Sequence, residues 1–481
     1  MRLKTNLVIS VIFAGLLGFV YFYEIKGGEE RKEQAEQALQ LLKFSDHEVA
    51  EIRIQRADTL LVLQFDEGHW RITSPVDADA DADAVERYLR NLRDTDLEDR
   101  DPVLDSAAVA DDASRLAQYG IDDPRVEVHL GMTEGADSVD TLRFGNDSPT
   151  ERFTYLQRSG GNPAVLKVRA WQFDNLDKGV FDLRDRRLIA FDKEDVREIR
   201  LRGENRDVVV ARMSSSDEWQ LRSPLRTGAN ETTMNSILSR LSSATVVEFI
   251  HESPDVEKIS ESGLADGAAF LRISLLLGED RAEKHLLLGN ETTHGDRLAR
   301  DTSRPHVFVV DSTVVDVVDM PVAEFRNKRA FRLQKEDVAQ IELERAGEGE
   351  VFVAILDTVG DWSLSSHPDR KAKAWRLNSM ITDIDDIEVE AFVLDVDSGD
   401  DVDLGRYGFD DPRVRVRISH RDGDDRILLV GDEGQTGPYV TTAGGTSVFE
   451  VLGSQVEELE LSLSDVAQEP TSTDTLSSDG S

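Results

Sequence analysis

The twelve residues Tyr119–Leu130 (YGIDDPRVEVHL) return as YGFDDPRVRVRI at Tyr407–Ile418, 407 − 119 = 288 residues later. Near the midpoint lies a degraded copy, SGLADGAAFLRISL, at Ser262–Leu275. Evenly spaced copies constrain the chain to repeat one unit of 288/2 = 144 residues three times, and each unit must bury its own apolar face. Each full copy reads as helix end, turn and strand. Gly120 and Gly408 follow short apolar runs ending in Tyr119 and Tyr407, where a glycine in the left-handed conformation closes a helix. Gly263 holds that place in the degraded copy. Pro124 and Pro412 then keep the aspartate before them out of the helical region. Strict alternation follows: Val126, Val128 and Leu130 oppose Arg125, Glu127 and His129, and Val414, Val416 and Ile418 oppose Arg413, Arg415 and Arg417. That is a half-buried strand with one wet face. Asp-Asp before proline is ordinary turn chemistry, so it is read as a turn rather than as a metal or acid–base site.

A second anchor is Trp70-Arg-Ile-Thr-Ser-Pro75. It returns as Trp219-Gln-Leu-Arg-Ser-Pro224 and, with one insertion, as Trp362-Ser-Leu-Ser-Ser-His-Pro368. The tryptophans are 219 − 70 = 149 and 362 − 219 = 143 residues apart. A tryptophan entering a turn at the same point of each unit reads as core packing, not ligand stacking. Each anchor precedes a predicted helix: Ala84–Arg93, Glu231–Leu241 and Ala374–Ile384. After the central strand each unit has an apolar run ending in glycine, at Gly145, Gly289 and Gly431, then a further strand region and a short helix. The expected fold class is α+β, with an N-terminal transmembrane helix followed by three tandem homologous modules of mostly antiparallel sheet and short helices.

The amino terminus carries Arg2 and Lys4, then the uncharged run Leu7–Tyr23 (LVISVIFAGLLGFVYFY). This run sits at the short end of what spans a bilayer, and Tyr21 and Tyr23 sit where interfacial aromatics are common. No small-x-small cleavage site follows it, so an uncleaved signal anchor is expected. Counting Lys and Arg on the two sides does not decide orientation; a six-residue head before a large body suits an exported body. The organisation expected is head 1–6, span 7–23, stalk 24–43, modules 44–190, 191–333 and 334–467, and disordered tail 468–481. Direct joins between modules imply a rigid chain.

Net charge is −39, from 56 basic and 95 acidic residues among 481. Such a chain is a poor partner for nucleic acid and for a generic anionic lipid surface. It fits a solvated acidic surface, as in a saline habitat, or a basic partner. The absence of cysteine excludes disulfides, thiolate catalysis and Cys-ligated zinc. The alternating aspartates Asp77–Asp83 resemble a calcium loop, but Ala82 and Tyr88 occupy the positions where an EF-hand needs glycine and glutamate. Acids at a helix start are favourable on dipole grounds alone. Asp395–Asp403 reads as an acidic loop. Phosphate-binding glycine loops, Gly-x-Ser-x-Gly and His-Glu-x-x-His are missing from the sequence. No catalytic, cofactor or metal residue is assigned; the residues singled out are the repeat anchors.

The basic head, the single span, the repeated W-x-[IL]-x-S-P and the repeated Y-G-[IF]-D-D-P-x-V-x-V resemble the bacterial family known as domain of unknown function 4340, from Met1 to about Asp465. The resemblance implies an inner-membrane protein with its repeats in the periplasm. It further implies an accessory of a gliding-motility-type ABC exporter, contacting its permease and ATPase or an exported polymer. The expected function is therefore non-enzymatic. The alternatives are an anchored hydrolase or carbohydrate-processing enzyme with its site between modules, and a structural or adhesive envelope protein.

Overall fold

The computed structural model describes residues 39–469, apart from 100, 134–138, 140, 160–163, 215, 332, 334, 348, 396–402 and 443–446. The expected head, span, most of the stalk and the end of the tail (470–481) lie outside the described residues. Among the described residues no helix is long and apolar enough to cross a membrane. The chain divides into two compact units, Met1–Arg187 and Leu188–Ser481. The first holds one antiparallel sheet and the second holds two.

In the first unit Val49–Gln55 is central. It pairs with Leu60–Asp66 on one side and with the repeat strand Val126–Met132 on the other. His69–Ser74 and Ala78–Asp79 extend the first side; Leu142–Asp147, Phe153–Arg158 and Leu166–Arg169 extend the second. In the second unit one sheet has the same plan around Val196–Gly203 and Leu271–Leu277, with Glu248–His251 added beyond Val307–Val310. The other repeats it around Val338–Arg345 and Val414–His420, with Val389–Asp395 added beyond Ser447–Val451. Three-module α+β architecture is thus the fold.

The predicted helices after the tryptophans are Ala82–Arg93, Glu231–Ser243 and Ala374–Asp385. The first two start at side-chain caps, Asp81 accepting from Ala84 N and Asn230 from Thr232 N and Thr233 N, which satisfies amides the helix leaves open. Each helix lays an apolar stripe on one face of its sheet. Val85, Tyr88, Leu89 and Leu92 pack with Ile52, Ile54 and Val128; Met234, Ile237 and Leu241 pack with Ile199 and Ile273; Leu377, Met380 and Ile384 pack with Ile341 and Val416. Leu41 and Leu42, placed in the stalk by sequence, lie buried in the first of these cores, with Leu41 N donating to Thr95 O at 3.2 Å. Leu188 and Ile189 join the second core and Phe331 the third.

Each module closes by bringing its end back to the start of that helix. Leu183 O accepts from Asp81 N, Phe325 O from Asn230 N and Val466 O from Lys373 N, at 2.9, 2.9 and 2.7 Å. Leu183, Phe325 and Val466 are themselves buried in the same cores. The closing contact is both a backbone bond and an apolar plug.

In the third module Glu450 is buried and accepts from Thr436 N at 2.8 Å, Gln435 N at 3.2 Å and the Thr436 hydroxyl. Burial alone would raise its carboxyl pKa; these donors outweigh it and hold the group below the usual glutamate range. A carboxylate depressed in the folded state stabilises above the unfolded pKa of about 4.3, and that contribution is lost as pH falls through the folded value. Glu450→Gln is therefore expected to melt lower than the parent at pH 7, with the difference narrowing as pH is taken below 4. A constant difference across that range contradicts the assignment.

Candidate interaction surface

The repeated turn builds a second layer on the face of each sheet away from the long helix. Gly120, Gly263 and Gly408 have φ of 67°, 68° and 80°, the left-handed region that disfavours a side chain. The closures are the same in kind: Gly120 N donates to Ala117 O, Gly263 N to Ser260 O and Gly408 N to Gly405 O. The element closed is α-helical at Val256–Glu261 but a 3-10 helix at Ala113–Tyr119 and at Leu404–Tyr407. The residue after each glycine, Ile121, Leu264 or Phe409, is buried in a small apolar cluster on this outer face. Tyr119 packs edge-on to Tyr155, and Tyr407 to Tyr439, with ring centroids 4.9 and 5.0 Å apart.

A second glycine receives each turn. A Cβ built on Gly145, Gly289 or Gly431 would lie 2.0 Å from Tyr119 O, 2.2 Å from Ser262 O or 1.9 Å from Tyr407 O. The degraded middle copy therefore keeps the clasp after losing Tyr and Asp-Asp-Pro. It also keeps the arginine contact by another route. Arg125 donates to Gly145 O at 2.6 Å and pairs with Asp147 at 2.8 Å. In the middle module Arg297, from a neighbouring strand, donates to Gly289 O at 2.9 Å and reaches Glu291 at 3.3 Å. In the third module Arg413 bonds Glu433 and Glu460.

Of the other anchors the tryptophans lie in the cores, while Pro75, Pro224 and Pro368 sit exposed in the turns that follow them. Trp70, Trp219 and Trp362 are buried; Trp362 donates its indole N–H to Asn378 Oδ1 at 2.9 Å. The Ser74–Pro75 and Ser223–Pro224 peptides are cis, and Pro368 sits in the turn region after Trp362–Leu364. Asp122, Asp123, Asp410 and Asp411, beside Pro124 and Pro412, are exposed turn residues. Of the alternating aspartates, Asp77 pairs with Arg71 at 2.6 Å and Asp81 caps the helix. Among the described residues no cluster of three or more His, Cys, Asp or Glu is placed to hold a metal ion.

What differs between modules is the charge that the outer face presents. At equivalent positions of the two central strands and the next one, the first module aligns Gln55, Glu127 and Arg143, with Arg143 on Glu127 at 2.8 Å. The third aligns Glu344, Arg415 and Leu429, with Arg415 on Glu344 at 3.4 Å. The second aligns Arg202, Arg272 and Leu287, two like charges directly across a strand pair. The next row holds Arg200, Ser274 and His285.

These five polar residues line an open cleft of about 1240 Å³. Its walls are the turns 203–206 and 265–270 and the segment 319–322, and Glu204, Asp266, Glu283 and Asp319 bring carboxylates to the lining. The turn 265–270 is two residues longer than its counterparts, counting glycine to strand start: 271 − 263 = 8 against 126 − 120 = 6 and 414 − 408 = 6. His285 Nδ1 lies 3.0 Å from Ser274 Oγ. Its Nε2 faces Glu283 at 3.5 Å; burial and then the nearby Arg272 hold its pKa below the usual histidine range, against the opposing pull of Glu283 and Asp301. The sequence signal for this site was present in Glu198–Arg202 and Leu271–Leu275, but it becomes a pair only once the register is known.

A tandem α+β protein whose modules share packing and differ in outer-face charge is the class these features define. The family model Domain of unknown function (DUF4340) matches residues 70–267, 219–401 and 362–470, each match starting at a repeat tryptophan. The chain belongs to this family. No curated protein and no solved structure matches it.

Proposed function

We propose that the chain is a non-enzymatic envelope protein, held at the inner membrane by residues 7–23 with its modules in the periplasm, and that it serves as an accessory of an ABC-type exporter. The observation that carries this reading is the contrast just described: the glycine clasp, the buried tryptophan and the closing plug recur in each module, whereas polar groups on the outer faces change. Repeated packing with variable surface charge suits a scaffold that offers several contact faces. A binding role also suits the modest, largely surface ion pairs, which set specificity and encounter more than affinity.

A second reading, an anchored hydrolase, draws on a groove of about 1030 Å³ where the second and third modules meet, lined by Asp385, Glu388, His420, Asp422 and Asp424. There Asp385 is already engaged by Lys335 at 3.3 Å and Arg329 at 3.5 Å, which favours a structural tie. Co-purification of the full chain from its native membrane in mild detergent separates the readings. Recovery of an ABC permease and ATPase in fixed ratio is expected. Recovery of the protein alone, under conditions that keep other membrane complexes intact, overturns the accessory role.

A further inference from the structure

We propose that the cleft on the outer face of the second module is a binding site for an organic oxyanion, a carboxylate or phosphate ester, gripped between Arg202 and Arg272. Cross-strand neighbours place their Cβ atoms about 5 Å apart, and like charges there destabilise the sheet. The fold does little to relieve this pair: Arg202 reaches Asp207 at 3.4 Å and Arg272 reaches Asp266 at 3.7 Å. Both carboxylates are on exposed side chains, Asp266 at 95%. The neighbouring arginines are held more firmly, Arg200 on Glu198 at 2.8 Å and Arg206 on Asp319 at 2.6 Å. Two adjacent guanidinium groups with loose partners present donors that match one oxyanion bidentately. The first and third modules, built on the same frame, place opposite charges together near this position instead.

The cleft is far larger than an inorganic ion, and its walls include Phe270, Met320 and Val322. The ligand therefore carries a body with apolar or sugar-like faces besides its charge. Ser274 and His285 add a hydroxyl and an imidazole beside the arginines, with Arg272, Glu283 and Asp301 as the charged groups acting on the ring. This inference stands whether or not the chain serves an exporter.

The test uses the full chain with two probes, inorganic phosphate and oligogalacturonate, followed by calorimetry, melting temperature and the histidine NMR signals. At least one probe is expected to bind, to raise the melting temperature and to raise the pKa of His285. Phosphate binding alone points to phosphate esters, oligogalacturonate alone to carboxylates, and binding of both to the shared oxyanion. Arg272→Gln is expected to weaken binding at least about tenfold without lowering the melting temperature of the unliganded chain. Arg415→Gln, at the equivalent place in the third module, is expected to leave binding unchanged. No binding of either probe, equal loss in both variants, or a fall in the unliganded melting temperature of Arg272→Gln overturns the proposal.

Discussion

Gly431→Ala is expected to unfold the outer layer of the third module. A methyl at this position meets the carbonyl of Tyr407 at 1.9 Å, and it meets backbone, which cannot swing aside like a flexible side chain. Relief requires moving Gly408 out of its left-handed turn or shifting the strand Asp425–Glu433, whose Leu428 and Val430 belong to the main core. Overpacking of this kind costs about 3 kcal/mol at the upper end of its usual range. Hydrogen exchange read segment by segment checks it. Residues 404–412 should lose protection first, with the first unit unaffected. Protection equal to the parent's would show that the clasp yields, and that the repeated glycine pair is not what fixes the turn.

Trp219→Ala carries the other large effect. Trp219 is 2% exposed and packs with Val210, Leu221, Met234 and Leu238, while Arg212 lies over its ring at 4.7 Å. Removing a buried aromatic side chain leaves a cavity and costs about 3–5 kcal/mol. Trp171 and Trp375, at 59% and 70% exposure, are the matched controls, and alanine at either should stay within about 0.5 kcal/mol of the parent. Denaturant unfolding followed by hydrogen exchange in the second module distinguishes the two groups. A near-zero effect for Trp219→Ala removes the tryptophan from the core.

The repeat made much of this fold legible in the sequence. Alternation at Val126–Leu130 and Val414–Ile418 set which side chains face the long helix, and the left-handed glycines marked where each turn closes. The degraded copy was harder, because Ser262 and Ala265–Phe270 look like loss of pattern. The structure shows that Gly263, Leu264 and Gly289 retain the packing while the lengthened turn opens a cleft. Leu41 and Leu42 were assigned to the stalk because nothing local distinguishes a leucine pair docked beside Thr95 from one ending a polar helix. The pairing of Arg202 with Arg272 was hidden for a different reason. The two residues are 272 − 202 = 70 positions apart, and cross-strand register is a tertiary fact that alternation alone does not supply.

If the chain is the proposed accessory, it is expected to meet its partners through the outer sheet faces, with the helical faces as supporting frame. Site-specific photocrosslinking in the native membrane tests this most directly. Probes placed at Gln55, Glu127 and Arg415 sample the outer faces, and probes at the exposed helix positions Arg87 and Ser236 sample the opposite side. Crosslinks to the proposed exporter permease concentrated at the first set are the predicted result. Crosslinks confined to Arg87 and Ser236 would contradict the claim.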